Sequence, residues 1–280
     1  DWDERLQKLM YPEDHPYHHT VIGSMEDLDA ASLEDVESFF RTFYVPNNAV
    51  LTVAGDIDSG AALDLAKRYF AEIPTGATVP PLPGNPNLAP KLGGTFRDDV
   101  VSEVPLPRVI MAFRVPPYWS DYFAVAEVTR ALLGMGRASR LYRGLVRERR
   151  VAKSVMSYVY PLLTGGSMML VWATGYPETT LEALEQAMGE ELDRLETAVQ
   201  DEVERAIALT ETDLVRALER VSGRADLLSM FELYFDDPSR LNRELDRLRA
   251  VTPDQIRAFA ADRLGTDNRA ILTYLPKGAE

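Results

Sequence analysis

The sequence predicts an α+β fold in which a mixed or antiparallel sheet packs against helices in two layers. Short apolar runs rich in Val, Leu and Met, which are typical of strands, lie at residues 100–104, 108–115, 154–160 and 167–174. Stretches with apolar residues three and four apart, which are typical of amphipathic helices, lie between and after them. The 280 residues, 46% of them hydrophobic, suit one large domain or two modest ones.

Before residue 74 the pattern predicts a helix, a strand and a second helix. The first helix runs from about Ser32, whose hydroxyl caps its N-terminus, to Phe43. An apolar strand follows at 49–54, and an amphipathic helix spans about 59–70. Residues 74–90 then carry six prolines (Pro74, Pro80, Pro81, Pro83, Pro86, Pro90) together with Gly76 and Gly84. Because proline is disfavoured in helix interiors and in central strands, we expect an interdomain linker at 74–94.

After the linker, helices alternate with the four strands already named and then dominate the chain. A long helix at about 180–199 has a stripe that should face a sheet, formed by Leu181, Leu184, Met188, Leu192, Leu195 and Val199. The chain closes with a strand at 270–274. The expected helices are at about 122–133, 138–149, 180–199, 202–222, 224–235, 239–248 and 253–263.

A weak internal repeat has an offset of 220 residues, and it aligns residues 25–36 with 245–256. Each copy has a hydroxyl N-cap, an acidic first turn, an amphipathic helix, an Asn-containing turn and a strand. Chance similarity of two helix-turn-strand units is the alternative. If the duplication is real and the second copy starts near Thr95, about 125 residues up to Glu219 lack a first-copy counterpart. The second repeat would then be complete and the first truncated. The identical pairs are Leu28 and Leu248, Ala30 and Ala250, Phe39 and Phe259, and Asn48 and Asn268.

Composition and missing motifs exclude several functions. The net charge of −14 disfavours nucleic acid and anionic membrane surfaces as partners. Without cysteine there are no disulfides or thiolate metal sites, and no apolar stretch approaches the roughly 20 residues of a membrane span. The motifs H-x-x-E-H, H-E-x-x-H and G-x-S-x-G, the P-loop and the dinucleotide fingerprint do not occur. The first residues have no secretory signal pattern, and bacterial cytoplasm and periplasm both fit.

Three local features have both a functional and a structural interpretation. His15, His18 and His19 share one loop, but Pro16 prevents helical alignment and no cysteine completes a metal site, so we interpret them as structural or surface residues. The glycine pair Gly134 and Gly136 favours a helix end and close packing over phosphate binding. The basic run at 147–150 favours an exposed helix end over a carboxylate site.

Several stretches together resemble the M16 family of zinc peptidases, which includes insulinase, pitrilysin and the mitochondrial processing peptidases. The stretches 11–17 (YPEDHPY), 21–23 (VIG), 39–48 (FFRTFYVPNN) and 53–56 (VAGD) are similar to the catalytic domain beyond its zinc site. The stretches 139–142 (SRLY) and 145–155 (LVRERRVAKSV) are similar to the second, zinc-free domain of the same fold. The resemblance implies that residues 1–73 are the C-terminal part of a first, zinc-type domain and that 95–280 are a second domain.

In M16 peptidases, the motif H-x-x-E-H and a downstream Glu hold zinc, and the resemblance implies the same ligands for the parent of this chain. Here these ligands would precede Asp1, and Glu4 stays unassigned, so we expect no catalytic residue, metal ligand or cofactor in this chain and zinc in the parent enzyme. The family's second domain can also supply an Arg and a Tyr that bind the substrate backbone. Val146 and Lys153 stand at those two positions, so no substrate-binding residue is expected either.

The resemblance implies an inactive part of a zinc metalloendopeptidase that encloses and cleaves peptides or unfolded polypeptides. This part would form chamber wall and a surface for a second M16-type half, in a homo- or heterodimer. The alternative is a non-catalytic M16-like scaffold or peptide-binding companion subunit. A third class, an unrelated α+β ligand-binding module, would lack two similar domains.

Overall fold

The computed structural model describes residues 2–81 and 88–278. The chain divides into two compact units, which we call unit 1 (Asp1–Thr20, Gly84–Glu211 and Asp246–Glu280) and unit 2 (Val21–Pro83 and Thr212–Leu245). These spatial units differ from the predicted segments 1–73, 74–94 and 95–280, which refer to repeats along the chain and stay a prediction. Within the proline-rich segment, residues 74–81 and 88–93 form neither helix nor strand, and residues 82–87 lie outside the described part.

Unit 1 is built on a five-stranded mixed sheet. The strand order is β1-β5-β2-β4-β3; β1 and β5 are parallel, and the other neighbours are antiparallel. The C-terminal strand β5 is therefore internal, with a hydrogen-bonded neighbour on each side. The predicted α+β class with a mixed sheet is confirmed. The strands are β1 (Gly94–Ser102), β2 (Arg108–Val115), β3 (Ala152–Tyr160), β4 (Ser167–Gly175) and β5 (Asn268–Pro276).

Helices follow the predicted pattern closely, and none in the described ranges is long and apolar enough to cross a bilayer. Short 3₁₀ turns lie at Pro16–His18, Pro46–Asn48, Arg194–Thr197 and Pro238–Arg243, and Tyr142–Glu148 is π-helical. The α-helices are α1 (Trp2–Met10), α2 (Met25–Ala30), α3 (Leu33–Phe43), α4 (Ser59–Phe70), α5 (Phe123–Gly134), α6 (Leu181–Asp193), α7 (Gln200–Glu219), α8 (Val221–Phe235), α9 (Glu244–Arg249) and α10 (Pro253–Arg263).

Both faces of the unit 1 sheet are covered by helices. On one face, α5, α6 and α10 bury an apolar core that includes Phe113, Leu133 and Phe259. On the other face, α1 places Leu6 and Met10 against strand residues such as Leu272. Each fully buried side chain of this size contributes roughly 1.5–3 kcal/mol of transfer free energy. The burial therefore fixes α1 firmly on the sheet.

Unit 2 packs differently, because its apolar side chains remain largely exposed. No residue of α2, α3 or α4 is buried. Phe231 of α8 is buried, and the hydroxyl of Ser229 donates to Thr52 Oγ1 at 2.7 Å. The large apolar residues exposed in this unit include Phe39, Phe40, Tyr44, Leu51, Val53, Leu63, Leu65, Tyr69 and Phe70.

The two aligned copies have matching local structure. The helices α3 and α10 have the same bounds at the 220-residue offset, and each begins with a capping box, Ser32 with Asp35 and Thr252 with Gln255. The turn after each helix is also the same. Asn48 Nδ2 donates to the Phe43 carbonyl at 2.9 Å, and Asn268 Nδ2 donates to the Arg263 carbonyl at 2.7 Å.

Four predicted elements differ from the structure, and the helices α1 and α2 were not predicted. The predicted helix at 239–248 divides into the 3₁₀ turn Pro238–Arg243 and the short helix α9. The predicted strand at 49–54 is wrong for this chain, because these residues have no ladder partner in the described ranges. The predicted helix at 138–149 is shortened to the π-helical segment Tyr142–Glu148. The predicted helix at 180–199 becomes α6, which passes at Arg194 into a 3₁₀ turn and so carries Leu195 into the core.

Candidate functional site

The two positions assigned to the family's substrate-binding pair lie on adjacent elements of unit 1. Val146 is in the π-helical segment and packs against the main core. Lys153 is exposed near the start of β3. A valine side chain forms no hydrogen bond, and a lysine ammonium is a flexible point charge. Neither side chain therefore reproduces the planar guanidinium of the family's Arg or the phenolic hydroxyl of its Tyr. The assignment of these positions stays a prediction.

The basic run that follows Val146 is partly structural. Arg149 forms ion pairs with Glu190 at 2.5 Å and Glu191 at 3.7 Å, and both carboxylates belong to α6. Arg150 adopts a positive φ of 55°, which lets the chain turn sharply from the π-helical segment into β3. The run therefore anchors a turn and does not form one continuous exposed cluster.

The loop that carries the histidines is docked on unit 1 by its aromatic rings. His15 is 1% exposed and stacks on Tyr11 with a centroid distance of 5.1 Å. His15 Nδ1 accepts from the Tyr17 amide at 3.1 Å. The Tyr11 hydroxyl donates to the Gly166 carbonyl at 2.8 Å, and the Tyr17 hydroxyl accepts from the amides of Leu163 and Thr164. These contacts tie the loop to the turn between β3 and β4.

Arg114 is a buried cation that the sequence reasoning did not single out. Its side chain leaves β2 and donates to the backbone carbonyls of Ala89 and Met10. The Met10 carbonyl is at the end of α1, where a helix leaves its last acceptors unpaired and favours a cation. The guanidinium also lies over the Tyr11 ring, 5.6 Å from its centroid. An arginine inside the apolar strand Arg108–Val115 was the signal that could have revealed it.

The side chains of the histidine loop do not form a set of ligands that fits zinc. Structural and catalytic zinc sites need three or four convergent nitrogen, sulfur or carboxylate ligands. In the described ranges no group of three or more His, Cys, Asp or Glu converges in this way. The free Nε2 of His15 is buried beside Gly165, and the nearby Arg114 cation opposes a second positive charge.

Acidification is expected to loosen the histidine loop. Burial, together with the Arg114 charge, lowers the pKa of His15, and Asp14 offsets this only in part. As pH falls below about 6.5, the unfolded chain binds a proton that the folded loop does not, so the free energy of unfolding decreases. Urea unfolding at pH 7.5 and 5.5, followed by tryptophan fluorescence, measures this loss. A His15→Gln variant should lose much of the dependence and His18→Gln should keep it; equal pH profiles for the two variants would contradict the assignment.

The glycine pair has a packing role at Gly134. A Cβ there would lie 2.4 Å from Ser157 Oγ and 2.5 Å from the Ser157 amide nitrogen. The helix α5 ends at this residue, and Gly136 has a positive φ of 77°. The predicted helix end and close packing are confirmed. The glycine allows α5 to approach the backbone of β3.

An open apolar cavity of about 370 Å³ lies in unit 2 between residues 51–57 and α4. Leu51 and Val53 on its wall are 57% and 54% exposed. Exposed aliphatic and aromatic side chains gathered in one place are typical of surfaces that bind another part of a protein. The remaining lining residues include Ile57, Ala61, Leu65, Tyr69 and Phe70.

The fold is a mixed five-stranded sheet covered by helices, together with a second unit that exposes an apolar surface. The model of the peptidase M16 inactive domain matches residues 30–210, and the chain belongs to this family. It is 31% identical over 221 residues to the zinc protease PqqE of Helicobacter pylori, which covers 78% of this chain and 46% of that protein. The chain thus spans about half the length of this relative.

Two solved structures have a fold similar to that of this chain. A protease from Helicobacter pylori matches 94% of this chain and 63% of its own, with a TM-score of 0.83 and 25% identity. A peptidase M16 inactive domain from Pseudomonas fluorescens covers 99% of this chain and 65% of its own, with a TM-score of 0.81 and 19% identity. The second likeness concerns the fold alone. The resemblance to M16 peptidases drawn from the sequence is confirmed.

Proposed function

We propose that this chain is the non-catalytic part of an M16-type zinc metalloendopeptidase. Residues 1–73 would be the C-terminal part of its first, zinc-type domain, 74–94 the linker, and 95–280 the second domain. The family match to an inactive domain and the relative named a zinc protease support this proposal. Zinc would be held by residues upstream of Asp1, because the described side chains here do not form a suitable ligand set.

The parent protein would enclose peptides or unfolded polypeptides between two similar halves and cleave them. This chain would contribute chamber wall and the surface that faces a second M16-type half, in a homo- or heterodimer. The observation that carries the proposal is the exposed apolar surface of unit 2, where no residue of α3 or α4 is buried. Exposed apolar patches of this kind are typical of surfaces that bind another part of a protein or a partner.

Val146 and Lys153 bear on which half this chain belongs to. If they occupy the Arg and Tyr positions, the half cannot hold a substrate backbone with those two donors. That composition suits the zinc-bearing half of a two-part peptidase, whose partner supplies the substrate-binding pair.

The proposal is tested with two proteins, the 280-residue chain and the longer product of the same gene that includes the residues upstream of Asp1. Cleavage of a quenched-fluorescent unfolded peptide and zinc content by atomic spectroscopy are measured for each. The longer protein should bind about one zinc per chain, and together with its M16-type partner half it should cleave in a manner that a chelator abolishes. The 280-residue chain should do neither. Tight stoichiometric zinc or hydrolysis by the short chain would refute the proposal.

A non-catalytic scaffold or peptide-binding companion subunit is the second candidate. The family description as an inactive domain is the observation that favours it. In that case the longer protein would bind an unfolded peptide or a second M16-type subunit without zinc and without cleavage. The same two measurements therefore separate the candidates.

A further inference from the structure

A cavity of about 410 Å³ lies within unit 1 at the C-terminal end of α1, and we call it the Arg114 cavity. Its walls come from the end of α1, from residues 88–92 and from the strands β1 and β2. Among the described residues that line it, three are cationic and none is acidic. The cations are Lys8, Lys91 and Arg114, and the apolar wall includes Leu9, Leu88 and Phe96.

The two lysines of the Arg114 cavity already have carboxylate partners. Lys8 Nζ lies 2.7 Å from Glu4 Oε1. Lys91 Nζ lies 3.0 Å from Asp267 Oδ2 and 3.2 Å from Asp262 Oδ1. None of these three carboxylates lines the cavity. The lysines therefore make its rim positive without requiring a further anion.

Arg114 differs from the lysines because its charge is buried and lacks a carboxylate. The residue is 5% exposed, and its guanidinium donates to the backbone carbonyls of Ala89, Lys91 and Met10. Its Nε is buried and has no acceptor. In the described ranges no carboxylate forms an ion pair with Arg114. The segment 82–87 (LPGNPN), which precedes the cavity wall in sequence, contains no Asp or Glu.

Arg140 shows how the same unit neutralises another buried guanidinium. It is also 5% exposed and donates to a backbone carbonyl, but it pairs in addition with the Glu202 carboxylate at 2.6 Å. A buried cation normally has such a partner, because it has lost its hydration. The end of α1 and the Tyr11 ring provide only partial negative charge near Arg114. Burial accordingly lowers the pKa of Arg114. The anion that Arg140 finds in its own chain is missing at Arg114.

The walls of the cavity restrict the kind of anion that fits. A guanidinium binds a carboxylate through charge-assisted hydrogen bonds. The side chains of Leu9, Leu88 and Phe96 would pack against an apolar group, whereas an inorganic anion would leave them uncovered. The volume lies in the range of roughly 300–1,000 Å³ that is typical of small-molecule sites. A carboxylate with one short apolar tail satisfies both the charge and the walls.

We propose that the Arg114 cavity binds a monocarboxylate with a short apolar tail, whose carboxylate pairs with Arg114 and whose tail packs against Leu88 and Phe96. Two sources share this chemistry, namely the last residue of a peptide that ends in an apolar side chain, and a short fatty acid. The site lies within unit 1, and the inference does not depend on the proposed function.

Calorimetric titration of the 280-residue chain tests the charge requirement. The probes are N-acetyl-leucine, hexanoate and N-acetyl-leucinamide, the last of which has nearly the shape of the first but no charge. At least one of the two carboxylates should bind with a Kd on the order of 1 mM. Where N-acetyl-leucine binds, the amide should bind at least roughly tenfold more weakly. In a ¹H–¹⁵N spectrum the Arg114 Nε–H resonance should move with the bound carboxylate. Equal affinity of N-acetyl-leucine and its amide, or binding of neither carboxylate, would refute the proposal.

The two carboxylates distinguish the sources of the ligand. Binding of N-acetyl-leucine alone would assign the cavity to peptide ends, and binding of hexanoate alone would assign it to fatty acids. Each result would support the proposed chemistry. If the longer product of the same gene bound neither carboxylate, the cavity would belong to another part of that protein, against the proposal.

Three variants of the 280-residue chain place the binding in this cavity. Arg114→Gln should abolish binding, whereas Arg108→Gln, on the same face of β2 but outside the cavity, should keep it. Phe96 is 46% exposed, so Phe96→Ala should fold even if Arg114→Gln does not. Its loss of apolar contact should weaken binding by roughly fivefold. Unchanged affinity in Phe96→Ala, or equal affinity of folded Arg114→Gln and Arg108→Gln, would overturn the assignment.

Discussion

Replacement of Arg140 by alanine is expected to lower the free energy of unfolding of unit 1 by about 3–5 kcal/mol. Arg140 is 5% exposed and forms an ion pair of 2.6 Å with Glu202 of α7. It also donates to the Arg194 carbonyl at the end of α6. Burial alone would raise the pKa of Glu202, but the hydrogen bond and charge of Arg140 hold it below its ordinary value. The variant would leave that carboxylate, whose side chain is only 12% exposed, without its main partner.

Arg143 provides a matched control for this ion pair. It lies 4.0 Å from the same carboxylate, but its side chain is 51% exposed. Arg143→Ala should therefore cost less than about 0.5 kcal/mol. Urea unfolding followed by tryptophan fluorescence reports unit 1, because Trp2, Trp119 and Trp172 all belong to it. Equal losses of unfolding free energy in Arg140→Ala and Arg143→Ala would show that the Arg140–Glu202 ion pair stabilises unit 1 no more than an exposed ion pair does.

Replacement of Asn268 by alanine is expected to lower the free energy of unfolding by roughly 2–4 kcal/mol, since it removes three hydrogen bonds of a fully buried side chain. The amide of Asn268 donates to Arg114 and Arg263, and its oxygen accepts from Leu92. These bonds join the end of α10 to both neighbours of β5. The equivalent Asn48 is exposed and bonds to Phe43. Asn48→Ala in the 280-residue chain should cost no more than about 0.5 kcal/mol.

The comparison of the two asparagines is measured by urea titration with far-ultraviolet circular dichroism. In the longer protein the cost of Asn48→Ala should rise toward that of Asn268→Ala, because the missing acceptors would then be present. A large cost of Asn48→Ala in the short chain would mean that its turn is already as constrained as that of β5.

Local patterns in the sequence were sufficient for most elements of the fold. The caps at Ser32 and Thr252 fixed the starts of α3 and α10, and the apolar run 108–115 gave β2 its full extent. The segment 49–54 has an equally clear strand pattern, yet it lacks a partner in the described ranges. A strand needs a neighbour that its own sequence cannot supply, so this prediction failed for a tertiary reason.

The features of unit 1 that bind its elements together were harder to foresee. Arg114 and Arg140 act through backbone carbonyls that are distant in sequence, and no spacing rule connects them to Met10 or Arg194. The π-helical segment Tyr142–Glu148 likewise packs against α6, where Gly144 lies close to Glu191. The contacts that dock the histidine loop, such as that of the Tyr11 hydroxyl with the Gly166 carbonyl, likewise join residues that are distant in sequence.

Backbone hydrogen exchange of residues 49–54 is the most direct test of the central claim that this chain holds a complete second M16 repeat and an incomplete first one. In the 280-residue chain these amides should exchange within seconds, whereas those of residues 270–274 in β5 should be strongly protected. In the longer protein of the same gene both sets should be protected. Equal protection of the two sets in the short chain, or rapid exchange of residues 49–54 in the longer protein, would contradict the account.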